Sequence, residues 1–181
     1  MMPQGPGRTR AGAGPEGPGA ECEVAVKMLS LTQPWASAIP LGLKTWETRS
    51  WWTGYRGPVG IHAAKGFPKW AKEFAETERA LGRGLPRIPL GAVVAVAYIA
   101  DCIPTEDALL VTSAIERLYG DYSEGRWAWK LTAVQPLATP IPAKGALGLW
   151  TPGPELERAI LEQLPSEPAP APRRQGPAGL L

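Results

Sequence analysis

The sequence predicts an α+β fold in which strands dominate, a small, partly closed β-barrel with helices packed outside it. Two observations lead there. Apolar, β-branched and aromatic runs of strand length follow one another in single file between Gly and Pro turns. Only two sizeable helical patterns interrupt them, so helices do not follow every strand as a doubly wound parallel sheet requires.

Each element has its own signal. Val24 to Leu31 is short and apolar and reads as a first strand. Thr32 offers a capping hydroxyl and Pro34 a first-turn proline, so a helix starts there. Pro40 and Gly42 stop it early. Lys44 to Ser50 alternates and reads as a strand, with Thr45, Glu47 and Arg49 on one face and Lys44, Trp46 and Thr48 on the other. Trp52 to Gly57 is a loop, and Pro58 to Ala64 a third strand. Lys69 to Leu81 reads as an amphipathic helix with Trp70, Phe74 and Leu81 near one face. Arg83 to Pro89 is a connection. The run GAVVAVAYIADCI, Gly91 to Ile103, predicts a central strand buried on both faces. Thr105, Glu106 and Asp107 suit the start of a second helix reaching about Leu118. After a polar loop, Arg126 to Pro136 is a strand and Ala146 to Trp150 a short last one. Glu155 to Leu164 reads as a peripheral helix.

Composition divides the chain. Half of residues 1–20 are Gly or Pro, and SEPAPAPRRQGPAGLL closes the sequence in the same manner. Neither stretch carries enough apolar area to offset chain entropy, so a disordered leader (1–24) and tail (165–181) are expected around a domain at 25–153 and its helix at 154–164. The tail's PAPAPRR could engage a protein partner as an extended polyproline segment. The net charge is +2, and residues 28–153 carry 13 Lys and Arg against 10 Asp and Glu. That is too mild to imply nucleic acid by itself. Two cysteines, Cys22 and Cys102, and one histidine give no disulfide framework and no metal motif, so neither metal nor cofactor is expected. No secretory signal or membrane span is visible, so a soluble cytoplasmic protein is expected.

One stretch departs from this even background. Leu29 to Lys65 holds four of the eight tryptophans, Trp35, Trp46, Trp51 and Trp52, with Tyr55 and the lone His62. Four cations, Lys44, Arg49, Arg56 and Lys65, accompany a single acid, Glu47. Flat aromatic faces beside cations suit a planar or phosphorylated ligand. A carboxylate among cations suits a base amino group, while Arg49 meets a phosphate. Either Trp51 or Trp52 could be a stacking platform. Gln33 could read a base edge. Lys65 and Lys144 flank glycines where backbone N–H groups can approach phosphate. His62 reads as a satisfied barrel histidine or a ligand contact.

These residues resemble the ASCH family, the activating-signal-cointegrator homology domain, whose fold is similar to the PUA domain. Three pieces carry the match. LSLTQPWASAI and GLKTWETRSW contain the G-x-K-x-x-E-x-R spacing as Gly42, Lys44, Glu47 and Arg49. YRGPVGIHAAK follows, then LGAVVAVAYIADC with the later WAWKL and IPAKGALGLW. The cointegrator's own branch is the most similar, through QPWAS and RSWWT…YRG. The resemblance implies a nucleic-acid module, chiefly for RNA or a modified nucleoside, with DNA as an alternative. It also implies a second reading, a metal-independent hydrolase. One branch removes acetyl from N4-acetylcytidine with a lysine, a threonine and a glutamate, and ribonuclease activity is suggested for other members. Lys44 matches that lysine, but Glu47 stands where the threonine would be. Thr45 is the nearer hydroxyl, and Glu116 and Asp121 lie in the region of the glutamate. On that reading Lys44 is the base, water or Thr45 attacks, and Glu47 shuttles the proton.

Overall fold

The computed structural model describes residues 26–83 and 88–165. The leader, the tail from residue 166, Val24 and Cys22 lie outside these, as does most of the 83–89 connection. Strands β1 (Lys27–Leu31), β2 (Trp46–Arg49), β3 (Gly57–Ala63), β4 (Ala92–Pro104), β5 (Trp127–Pro142) and β6 (Leu149–Trp150) form one sheet. Its order is β2-β5-β4-β3-β1-β6. Among the described strands, only β1 and β3 pair in parallel, with Ser30 beside His62. The sheet curls into a half-barrel, and helices flank it, as the single-file pattern predicts.

The curl has a local cause. β4 and β5 slip register three times, between Val93 and Ala95, Val96 and Tyr98, and Ile99 and Asp101. Each irregularity bends the ribbon and adds twist. Ala133 adopts φ 47 within this stretch. The bend lets β5 run to Pro142, beyond the predicted end at Pro136, because pairing resumes at Ala92 with Pro142.

Two larger apolar clusters pack on the sheet, and a small third joins Trp46, Ala108 and Ala128. Leu29, Leu31, Val59, Ile61, Ile99 and Trp129 make the larger one. Met28, Val93, Val96 and Leu137 form the other under Ile160 of α5 (Pro154–Leu161). β4 is therefore buried on both faces only from Ala92 to Ala97. Tyr98, Ala100 and Asp101 are exposed, because α5 does not extend that far.

The helices depart most from expectation. α1 (Trp35–Ala38) is short as predicted, but no side chain caps it. α2 (Lys69–Ala80) buries Ala71, Ala75 and Glu78, while Trp70 and Leu81 are exposed. Small side chains admit the helix close to its neighbours, and the large rings sit to one side: Phe74 stacks on Trp35 at 5.2 Å and meets Tyr119 edge-on at 5.4 Å. The single helix predicted from Thr105 to Leu118 is two, α3 (Thr105–Leu109) and α4 (Ala114–Leu118). Ser113 starts the second by accepting from the Glu116 amide. Thr105 does not cap; its hydroxyl donates to the carbonyls of Ser123 and Arg126. Among the described residues, no helix is long and apolar enough to cross a membrane.

Candidate functional site

Gly42 turns the chain at φ 72, and the Leu43 and Lys44 amides both donate to the Ala38 carbonyl. This sends Lys44 inward before the strand begins, so the strand pleat does not set its direction. Lys44 is 1% exposed. Its Nζ donates to the carbonyls of Trp46 (2.6 Å) and Tyr119 (2.7 Å) and lies 3.2 Å from Glu47 Oε2. An ammonium has three donors, and these three acceptors occupy all of them.

Glu47, on edge strand β2, is likewise buried, and its Oε1 lies 3.4 Å from Arg49 Nη1. Each carboxylate oxygen therefore has a cationic partner, with acceptor capacity left over. Lys44 and Glu47, expected on opposite faces, share one floor. Thr45 leaves it: its amide and hydroxyl donate to Glu116 Oε2 at 2.7 and 2.9 Å, and the Trp46 amide to Glu116 Oε1 at 3.0 Å. Glu116 thus clamps the entry to β2 and holds Thr45 out of the cleft.

Above this floor is a cleft of about 380 Å³. Trp35 and Trp70 line it, their ring centroids 5.2 Å apart. Thr48, Asp121 and Arg126 line it too. The Thr48 hydroxyl accepts from the Asp121 amide at 2.9 Å, and Arg126 Nε lies 3.2 Å from Asp121 Oδ2. Hydrogen bonds from the Ser123 hydroxyl and amide hold the Asp121 carboxyl below the usual carboxylate range. Tyr119 lines the cleft as well; burial and the adjacent Glu78 carboxylate push its phenol up, so its hydroxyl stays a donor to Glu78 at 2.7 Å.

The remaining predicted residues do not meet here. Ser30, His62, Lys65 and Lys144 line a second hollow of about 1090 Å³. Ser30 borders both spaces. His62 is buried between Ser30 Oγ at 3.1 Å and the Ala143 carbonyl at 3.0 Å. Trp51 packs edge-on against Trp129 in the core, with the Arg49 guanidinium 5.9 Å from its ring. Trp52 is 55% exposed and, like Trp51, lines neither space. The Tyr55 hydroxyl donates to Pro58 O, and Arg56 pairs with Asp101 at 3.2 Å and bonds the Thr53 and Tyr55 carbonyls. Gln33 is fully buried; its amide donates to Ser37 Oγ and the Pro89 carbonyl and accepts from the Ser37 amide. That leaves it no edge to offer a base. One ligand space was expected, and the fold divides these residues: Lys44, Glu47 and Arg49 line the cleft, and His62, Lys65 and Lys144 line the hollow, with Ser30 of β1 bordering both.

Sequence reasoning missed Trp70, Tyr119, Thr48 and Arg126 as wall residues. Trp70 reads from the sequence as part of the apolar face of its helix with Phe74, and only the structure shows it exposed at the cleft. Arg126 follows a Gly turn and opens a strand, which says nothing about what it faces. Among the described residues, no group of three His, Cys, Asp or Glu side chains could hold a metal ion.

Comparison with known proteins agrees with this architecture. The ASCH domain matches residues 29–141. A crystal structure of ASCH from Zymomonas mobilis is 20% identical, covers 78% of this chain and 96% of its own, and superposes with a TM-score of 0.50. A tyrosine-to-phenylalanine variant of that protein is 18% identical, with 76% and 97% covered and a TM-score of 0.49. A serine-to-alanine variant is 16% identical, with 77% and 96% covered and a TM-score of 0.47. No curated protein sequence matches the chain. The curled six-stranded sheet with its flanking helices is the PUA-like fold, and the family match spans more than half of the sequence: the chain belongs to the ASCH domain family.

Proposed function

We propose that the protein binds single-stranded RNA through one nucleotide whose base carries an exocyclic amino group, held in the cleft above Lys44 and Glu47. The observation that carries this reading is the buried Glu47 carboxylate at the floor, neutralised by Lys44 and Arg49 and still able to accept. A carboxylate repels phosphate but accepts from cytosine N4. Trp35 and Trp70 supply flat faces for the base. Arg49 and Arg126 also line the cleft, and planar guanidinium groups match phosphate oxygens. A space of about 380 Å³ is at the small end of ligand pockets and suits one nucleotide, not a duplex.

Binding is favoured over hydrolysis by the Lys44 geometry. A general base needs a lone pair facing the substrate, and the Lys44 nitrogen already has three acceptors around it. Thr45, the hydroxyl nucleophile of that alternative, faces Glu116 outside the cleft.

Calorimetric titration with CMP and UMP tests the reading. A hydrogen bond to a buried charge contributes about 1.5–3 kcal/mol, so CMP should bind tighter by roughly tenfold or more. Glu47→Gln, which adds a donor, should erase or reverse the preference. Equal affinities for the two nucleotides in the native protein would remove the base-reading role of Glu47.

A further inference from the structure

The second hollow shares Ser30 with the nucleotide cleft and is much the larger, about 1090 Å³ against 380 Å³. Its walls come from Ser30 of β1, the end of β3, Leu90 and Gly91 before β4, and the loop after β5. His62 ties these together, bonding the Ala143 carbonyl with one ring nitrogen and Ser30 with the other, while Trp150 Nε1 donates to the same Ser30 oxygen at 3.2 Å. The loop is seated tightly: a Cβ on Gly145 would lie 2.5 Å from His62 and 2.6 Å from Ser30 Oγ. The hollow is therefore a built wall and not a gap beneath a loose loop.

Its lining is amphipathic. Leu90, Ala146 and Leu147 offer apolar surface, and Leu147 is 97% exposed. Lys65 and Lys144 are exposed beside it, and neither forms an ion pair among the described residues. Among the described residues, no acidic side chain lines the hollow. Free cations beside apolar surface complement an anionic chain whose repeating unit also carries flat, weakly polar faces.

We infer that this hollow holds the nucleotides adjoining the one in the cleft, so that a single strand passes over Ser30 with its phosphates on Lys65 and Lys144. The inference rests on the proposed reading of the cleft. It adds that the protein recognises a short oligonucleotide, with Glu47 reading one base and the lysine-lined hollow tracking the backbone without reading sequence. Lys65 and Lys144 then contribute to oligonucleotide binding and not to mononucleotide binding.

The test compares CMP, a cytidine-containing ribotetranucleotide and hexaglutamate on the native protein and on the double variant Lys65→Ala/Lys144→Ala. Both lysines are exposed, so the variant should fold, and circular dichroism checks that it does. The expected result is unchanged CMP affinity, about tenfold weaker tetranucleotide binding, and a salt slope shallower by about 1.4, since each phosphate contact on a single strand contributes about 0.7. Native protein that binds both nucleotides, with a double variant that holds the tetranucleotide as well as the native does, overturns the inference alone. Hexaglutamate binding that the variant loses, with tetranucleotide binding intact, also overturns it and makes the hollow a site for acidic peptide. Failure of the native protein to bind either nucleotide overturns the reading of the cleft and this inference with it.

Discussion

Lys44 Nζ and Glu47 Oε2 lie 3.2 Å apart with side-chain exposures of 1% and 7%. The pair connects the turn at Gly42 to strand β2 and, through the Tyr119 carbonyl, to the end of α4. It is at once the floor of the cleft and a structural joint, so its two members should respond differently to substitution.

Lys44→Met removes the ammonium that donates to two carbonyls and leaves the Glu47 carboxylate paired with Arg49. Breaking a buried pair from one side typically costs about 3–5 kcal/mol. Urea unfolding should show a loss of that size. Glu47→Gln keeps the shape and a carbonyl acceptor for Lys44, so its loss should be smaller, roughly 1–3 kcal/mol. Native-like stability in Lys44→Met would show that the ammonium is not a joint.

Trp70 is 59% exposed, so its replacement should hardly affect stability. If it stacks on a base, Trp70→Ala should weaken nucleotide binding by about 1–3 kcal/mol. Thermal unfolding and titration of the same variant separate the two effects. Unchanged affinity would assign Trp70 to packing against Trp35 only.

Glu78 should govern part of the acid sensitivity. Its hydrogen bonds from Arg83, at 2.8 and 2.9 Å, hold its carboxyl below the usual range, and the Tyr119 hydroxyl assists. A carboxyl lowered on folding contributes stability above its unfolded pKa, about 4.3, and loses it as pH falls through the lower folded value. Unfolding free energy measured from pH 7 to pH 3 should therefore drop below about pH 4.5, and Glu78→Gln should flatten that part of the profile. An identical acid limb in the variant would place the sensitivity elsewhere.

Gly145→Ala should push the loop after β5 away from His62 and Ser30. A forced overlap in a packed site typically costs about 1–3 kcal/mol. Gly66→Ala is the control, since a Cβ there meets nothing within 4 Å, and its effect should stay within about 0.5 kcal/mol. Equal melting temperatures for the two variants would mean that the loop yields freely.

The strands were legible because their signal is local. Lys27–Leu31, Gly57–Ala63 and Ala92–Pro104 are runs whose β-branched and apolar content needs no partner to be recognised. The motif from Gly42 to Arg49 was legible for the same reason, and it does lie at the cleft. Helix detail was less legible. The buried stripe of α2 is Ala71, Ala75 and Glu78, which composition does not mark, since a buried glutamate depends on Arg83 and Tyr119 reaching it.

The sequence by itself determined the half-barrel class, the strand order along the chain and which short segment holds the floor residues, because each follows from side-chain period and turn chemistry within a few residues. Only the tertiary structure decided how the candidate residues are shared out. Lys44 turns inward because a Gly42 turn precedes the strand, Thr45 turns out because Glu116 arrives from α4, and His62 and Lys144 form a second wall because β1, β3 and the loop after β5 meet there. The Thr45–Glu116 and His62–Ala143 contacts join residues 71 and 81 positions apart, and no local pattern encodes the direction from which a distant partner comes.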